Sequence, residues 1–134
     1  MKILLDTHIA LWAVMKTEAL TNEMKSILLS PDNEIFYSVI SIWEVSLKHS
    51  INPNNMEVTA SEFRSLCQES GFIEIPIEYH HVLGLDNLSQ KKGYPAHRDP
   101  FDRLLLEQAM TEKMNFLTHD SKIATFDTDT IILV

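Results

Sequence analysis

The 134 residues are 45% hydrophobic and carry a formal charge of −8, enough for one domain with its own core and too acidic for a protein that coats nucleic acid through a broadly basic surface. The single Cys67 excludes an internal disulfide, the start MKILLDTHIALWAV lacks the apolar run of a secretory signal, and no stretch approaches the roughly 20 apolar residues of a membrane span. The expectation is one globular unit in the cytoplasm, with no membrane attachment.

Lys2 to Asp6 (KILLD) is a short apolar run ending in a carboxylate and predicts a strand. Thr7 to Met15 then turns helical, with Ile9, Trp12 and Ala13 on one face. Thr21 to Leu29 places Met24, Ile27 and Leu28 at helical spacing, and the turn SPDN precedes the strand EIFYSVI, expected to end near Val39 or Ile40. Ser41 to Ser50 predicts a helix with Ile42, Val45 and Ile51 inward. NPNN breaks the chain before a helix from about Thr59 to Ser70, which Gly71 stops. FIEIPI, Phe72 to Ile77, is a strand that Pro76 assigns to a sheet edge, and Glu78 to Leu88 follows as a short helix. SQKKGYPAHRDP is the longest irregular segment and the loop best placed to touch a ligand. A helix from about Phe101 to Lys113 buries Leu104, Leu105, Gln108 and Ala109. NFLTHD and TIILV are two further strands around a short helix at Ser121 to Phe126. The alternation makes this an α/β chain: an α/β/α sandwich around a central five-stranded parallel sheet with right-handed crossovers.

Three glycines, at 71, 84 and 93, cannot assemble a phosphate loop or a dinucleotide fingerprint, and no G-x-S-x-G elbow is present. His80 and His81 are adjacent, so on a helix they are expected to point apart, and Cys67 stands alone; no zinc constellation results. Acids remain. In open parallel sheets ligands bind beyond the carboxyl ends of the strands. Asp6 closes the first strand, Glu44 lies in the first turn of the helix after the second, Asp102 begins the helix before NFLT, and Asp120 follows it. Each has a rival role. Ser41 to Glu44 fits a capping box, Asp99-Pro100 fits an N-cap with Pro at the first helical position, and Asp6 and Asp120 are each placed to cap the next helix.

Their number together favours a site. Four carboxylates within a few Å repel one another unless a cation compensates, and two divalent ions would bring the formal charge from −8 to −4. An oxygen-only pocket suits Mg2+ or Mn2+, and such an ion activates water for attack on a phosphodiester.

The segments LLDTH, SVISIWEVSLK, HRDPFDRLLLEQA and FLTHD, in that order, resemble the PIN-domain family over nearly the whole chain. They are most similar to its VapC-like branch, the toxins of toxin–antitoxin pairs. The resemblance implies a five-stranded parallel sheet, a divalent metal at the acidic edge, endoribonuclease activity and a restraining antitoxin. It assigns the metal-binding and catalytic acids to Asp6, Glu44, Asp102 and Asp120, and a polar supporting position to Thr118. Many relatives carry Asn where this chain has His8, as a sub-group of the family does, and its role stays open between metal ligation, the pocket wall and holding a metal-bound water. Asp99 stays open between capping and the metal site. Asp127 and Asp129 read as solvated turn residues at the far edge.

For phosphate contacts the candidates are Lys48, Lys91, Lys92, Arg98 and Arg103, although Lys48 also has the spacing to pair with Glu44. Trp12 and Trp43 sit in apolar helix patterns and read as core or interface residues rather than stacking platforms. The leading expectation is a metal-dependent endoribonuclease acting on RNA. A catalytically silent RNA- or protein-binding module is the rival, and a phosphatase or DNA nuclease a third reading. The family pattern also implies a homodimer.

Overall fold

The computed structural model describes residues 1–134. Five parallel strands, β1 (Lys2–Leu5), β2 (Glu34–Ser38), β3 (Ile73–Ile75), β4 (Asn115–Thr118) and β5 (Ile131–Leu133), form one sheet in the order β3-β2-β1-β4-β5. The central strand β1 is buried on both faces, which is why KILL reads as a continuous apolar run rather than an alternating one. Ile3 pairs in register with Ile35 of β2 and with Asn115 of β4.

Alternate strand residues feed two separate cores. Ile3, Leu5, Ile35, Tyr37 and Leu117 face one side, where they meet Ile9, Ala10 and Val14 of α1 (Thr7–Met15), Met24 of α2 (Asn22–Leu29), Val45 of α3 (Val39–Ile51), and Phe63 and Cys67 of α4 (Ala60–Glu69). Leu4, Phe36 and Phe116 face the other side, against Phe101, Leu104, Leu105 and Ala109 of α6 (Pro100–Thr111). α5 (Tyr79–Leu83) packs beside α6. The chain runs outward from β1 to β2 and β3, then crosses back to β4 on the other side of β1. The strand order therefore reverses between β1 and β4, and the crevice at their carboxyl ends is where such sheets hold ligands.

Several boundaries differ from the sequence expectation. β2 ends at Ser38, whose hydroxyl accepts the N–H of Ile40 at 3.0 Å and starts α3 earlier than expected. Val39 and Ile40 are strand formers by type, but the cap and the burial of Ile40 draw them into the helix. Ser41 then lies inside α3 and bonds Thr7 Oγ1 at 2.8 Å, so the Ser41–Glu44 capping box does not form and Glu44 falls in the second turn. Ile51, expected inward, is exposed at the end of α3. The helix expected over Glu78–Leu88 breaks at Gly84 into α5 and a 3-10 turn, Gly84–Asn87. A Cβ at Gly84 would lie 1.9 Å from Oε1 of the buried Glu107, so the Glu107 side chain fills the space that glycine leaves and would have to move for any other residue. The helix expected at Ser121–Phe126 is a 3-10 turn at Ile123–Thr125, and α6 starts at Pro100. Gly71 follows α4 with φ +80°, a helix stop, and β3 is an edge strand ending before Pro76.

Candidate active site

Asp6 leaves β1 tied to β4, its N–H donating to Leu117 O at 2.9 Å. It stands at the N-cap of α1 without a side-chain cap bond. Its carboxylate instead accepts the Thr118 hydroxyl at 2.6 Å and is only 4% exposed. Thr118 also accepts the N–H of Asp120 at 3.1 Å, so one buried hydroxyl at the end of β4 spaces two of the acids. Asp120 in turn accepts the N–H of Lys122 at 2.9 Å, and it lines a cleft with Asp6, His8, Trp12 and His119.

Glu44 enters from α3, which the Thr7–Ser41 bond fastens to α1. It is 3% exposed. Lys48, one turn on, donates to Oε2 at 2.6 Å, while Oε1 is buried with no hydrogen-bond partner. Asp102 comes from the first turn of α6, where Asp99 caps the helix by accepting the Asp102 N–H at 2.9 Å. Its Oδ2 lies 2.8 Å from His97 Nε2. A ring nitrogen of His97 and carboxylate oxygens of Asp102 and Asp120 all fall within 4.8 Å of one another.

The electrostatics follow from burial and crowding. Burial raises the Asp6 pKa above the ordinary carboxylate range, and the Glu44 charge adds to it against the opposing Thr118 bond and the nearby His8. Asp102 is pushed up to about 7, first by burial and then by the charges of Asp6, Asp99 and Glu44, with the His97 bond acting the other way. Burial opposes the charge on Lys48, yet its bond and attraction to Glu44 leave its pKa raised. Lys48 bonds only Glu44, and its charge and that of His8 still leave Asp6 and Asp102 raised, so the acids are short of cationic counter-charge. The unpartnered Glu44 Oε1 is an acceptor without a donor, so the pocket as built fits a hard divalent cation held by oxygen.

The fold thus brings the acids together: the charges of Asp6 and Glu44 act on each other and on Asp102, Asp102 lies beside Asp120, and Thr118 bonds Asp6, with His8 exposed at the cleft that Asp6 and Asp120 line. The basic candidates separate. Lys48 is paired to Glu44, and Arg103 is turned onto the carbonyls of His97 and Leu85 at 3.3 and 3.4 Å. Lys91, Lys92 and Arg98 are exposed, and Arg98 shares a cleft with His97 and Lys122. Trp12 lies between the rings of His8 and His119 at 6.2 and 5.7 Å, and Trp43 rests half-exposed against Phe101 at 4.6 Å.

Sequence reasoning missed His97 and Lys122. The available signal for His97 was its place in the loop expected to touch a ligand, just before Asp102. The expectation for His80 and His81 is corrected. Their rings lie 4.4 Å apart and both reach Glu112 Oε1, at 3.3 and 2.7 Å. Side-chain torsions override the helical spacing here, because His81 folds back to accept the Glu78 N–H at 3.0 Å in the first turn of a five-residue helix.

No curated protein sequence matches the chain significantly. Among solved structures it is similar to VapBC2 from Rickettsia felis bound to a promoter DNA fragment, with TM-score 0.65 and 18% identity over 100% of this chain and 98% of that one. A toxin–antitoxin complex from Klebsiella pneumoniae gives TM-score 0.59 and 16% identity, covering 97% and 95%. VapBC-1 from nontypeable Haemophilus influenzae gives 0.56 and 17%, covering 92% and 90%. At these identities the likeness carries the fold. No helix is long and apolar enough to cross a membrane. The PIN domain family model matches residues 3–129, and the chain belongs to the PIN domain family.

Proposed function

We propose that the chain is a divalent-metal-dependent endoribonuclease and the toxin of a toxin–antitoxin pair. The observation that carries the reading is the convergence of Asp6, Glu44, Asp102 and Asp120 from four elements onto one crevice, with Asp102 pushed up to about 7 and Glu44 Oε1 left without a partner. These acids would hold Mg2+ or Mn2+, which when bound lowers the pKa of water and offsets charge on a phosphodiester. The other side chains position them. Thr118 spaces Asp6 from Asp120, Lys48 fixes one oxygen of Glu44, and Asp99 fixes the helix end that carries Asp102. Arg98 and Lys122, with Lys91 and Lys92 further along the loop, supply an exposed basic flank for phosphates in an otherwise acidic chain.

RNA as substrate and a cognate antitoxin as partner rest on the family and on the toxin–antitoxin complexes among the similar structures. We also assign a homodimer and a cytoplasmic setting. The test is incubation of purified protein with RNA and Mg2+ or Mn2+, with and without chelator. Cleavage that requires the ion and is lost in Asp6→Asn and Asp102→Asn is expected. Cleavage that survives chelator, or is unchanged in both variants, contradicts the reading, and RNA binding without cleavage returns the silent module.

A further inference from the structure

Two groups of imidazoles meet carboxylates in this fold, and they differ in how their ring nitrogens and carboxylates are already engaged. At the α5–α6 contact, His81 Nδ1 accepts the Glu78 N–H, which keeps the ring proton on Nε2 facing Glu112. Binding a cation through that Nε2 would put a proton on Nδ1 against a backbone donor. His80 faces the same Glu112 oxygen at 3.3 Å and has Nδ1 3.6 Å from Glu78 Oε2, so this group offers one carboxylate oxygen already shared by two imidazoles.

His97 is built differently. Its Nε2 lies 2.8 Å from Asp102 Oδ2, and no protein group hydrogen-bonds its Nδ1, so either tautomer is open to it. The ring packs edge-on against Phe126, with centroids 6.0 Å apart and planes at 89°, and the backbone beneath it is held by Arg103, which donates to the His97 carbonyl at 3.3 Å. The side chain is 14% exposed, comparable to Asp102 at 16%. Neighbouring ligand atoms on a six-coordinate ion with bonds of about 2.1 Å lie about 3 Å apart. The Nε2–Oδ2 separation of 2.8 Å is close to that spacing, and Asp120 supplies an oxygen within 4.8 Å of both.

We propose that His97 is a ligand of the cation held by the acidic crevice, through Nε2, and that this nitrogen makes the site prefer Mn2+ and later transition ions to Mg2+. The inference rests on the metal-dependent reading of the site. Carboxylates alone favour hard ions such as Mg2+, whereas an imidazole among them gains more from a transition ion. His97 also ties its loop to Asp102, and the neighbouring Arg98 lines a cleft with His97 and Lys122.

The test is pulsed electron paramagnetic resonance on protein loaded with Mn2+ and no RNA. Nitrogen modulation is expected in the wild type and in His80→Ala, and is lost in His97→Ala and His97→Gln. Those two variants are expected to keep the wild-type circular dichroism and to bind Mn2+ about tenfold more weakly, with a smaller loss for Mg2+. Bound Mn2+ without nitrogen modulation in the wild type overturns the proposal, as does modulation that persists in both His97 variants, which would assign it to His8 or His119. Either result leaves the acidic metal site standing. No bound Mn2+ at all overturns the metal-dependent reading as well. Absence of nitrogen modulation from the wild type overturns the proposal whether or not a variant folds, and the two His97 substitutions give two chances of a folded variant.

Discussion

The His80–His81–Glu112 group and the His97–Asp102–Asp120 group each gather imidazole and carboxylate ligand atoms within 4.8 Å, but the first sets two imidazoles on one carboxylate and the second one imidazole among two. In the first, the His81 bond, reinforced by His80, holds Glu112 below the ordinary carboxylate range despite partial burial. In the second, burial and three neighbouring acids push Asp102 up to about 7 and one imidazole does not offset them. The first group satisfies itself and fastens α5 to α6. The second is left short of positive charge, which is the condition a cation relieves and a structural clasp would not tolerate.

The largest expected contrast is in catalysis. Asp102→Asn or Asp6→Asn should lower RNA cleavage by at least about a hundredfold to a thousandfold, the cost typical of removing a group that stabilises a transition state. Glu112→Gln should leave it unchanged. Equal losses in an RNA cleavage assay would erase the distinction between the two groups. Next is the response to metal. At a concentration about 100 times its dissociation constant, Mn2+ should stabilise the wild type and Glu112→Gln by about 2.7 kcal/mol, seen as a higher melting temperature, with little gain in Asp102→Asn.

A pH series sharpens the comparison. Asp102 has a folded pKa raised to about 7 from 3.8, so the folded state holds that proton more tightly than the unfolded one. Its contribution is full below about 3.8 and lost as pH rises through about 7, so the metal-free melting temperature should fall across that window, by on the order of 10 °C. Asp102→Asn should flatten the fall. Glu112 acts in the other sense, because its lowered pKa gives stability above the ordinary value that is lost as pH drops through the folded value. Glu112→Gln should therefore cost about 1 kcal/mol at neutral pH, a small effect because the group is partly solvated, and chemical denaturation would measure it.

Much of this was legible in the sequence because it rests on local rules. KILLD and NFLTHD announce buried parallel strands ending in acids, and Asp99-Pro100 announces the start of α6. What stayed hidden depends on competition or distance. Ser38 and Ser41 are both competent caps, and only the packing of Ile40 decides between them. His97 lies in an irregular loop with no period to fix its direction, and what brings it to Asp102 is tertiary, the contacts with Phe126 and Arg103. Glu112 is far from His81 in sequence, so the convergence of the two histidines follows from α5–α6 packing and not from helical spacing.

Calorimetric titration of Mn2+ at pH 7.5 into the wild type, Asp6→Asn, Asp102→Asn and His80→Ala tests the central claim most directly. Saturable binding is expected in the wild type and in His80→Ala, and its loss in the two Asn variants. No saturable binding in the wild type, or binding kept in both Asn variants and abolished in His80→Ala, would contradict a cation site in the acidic crevice.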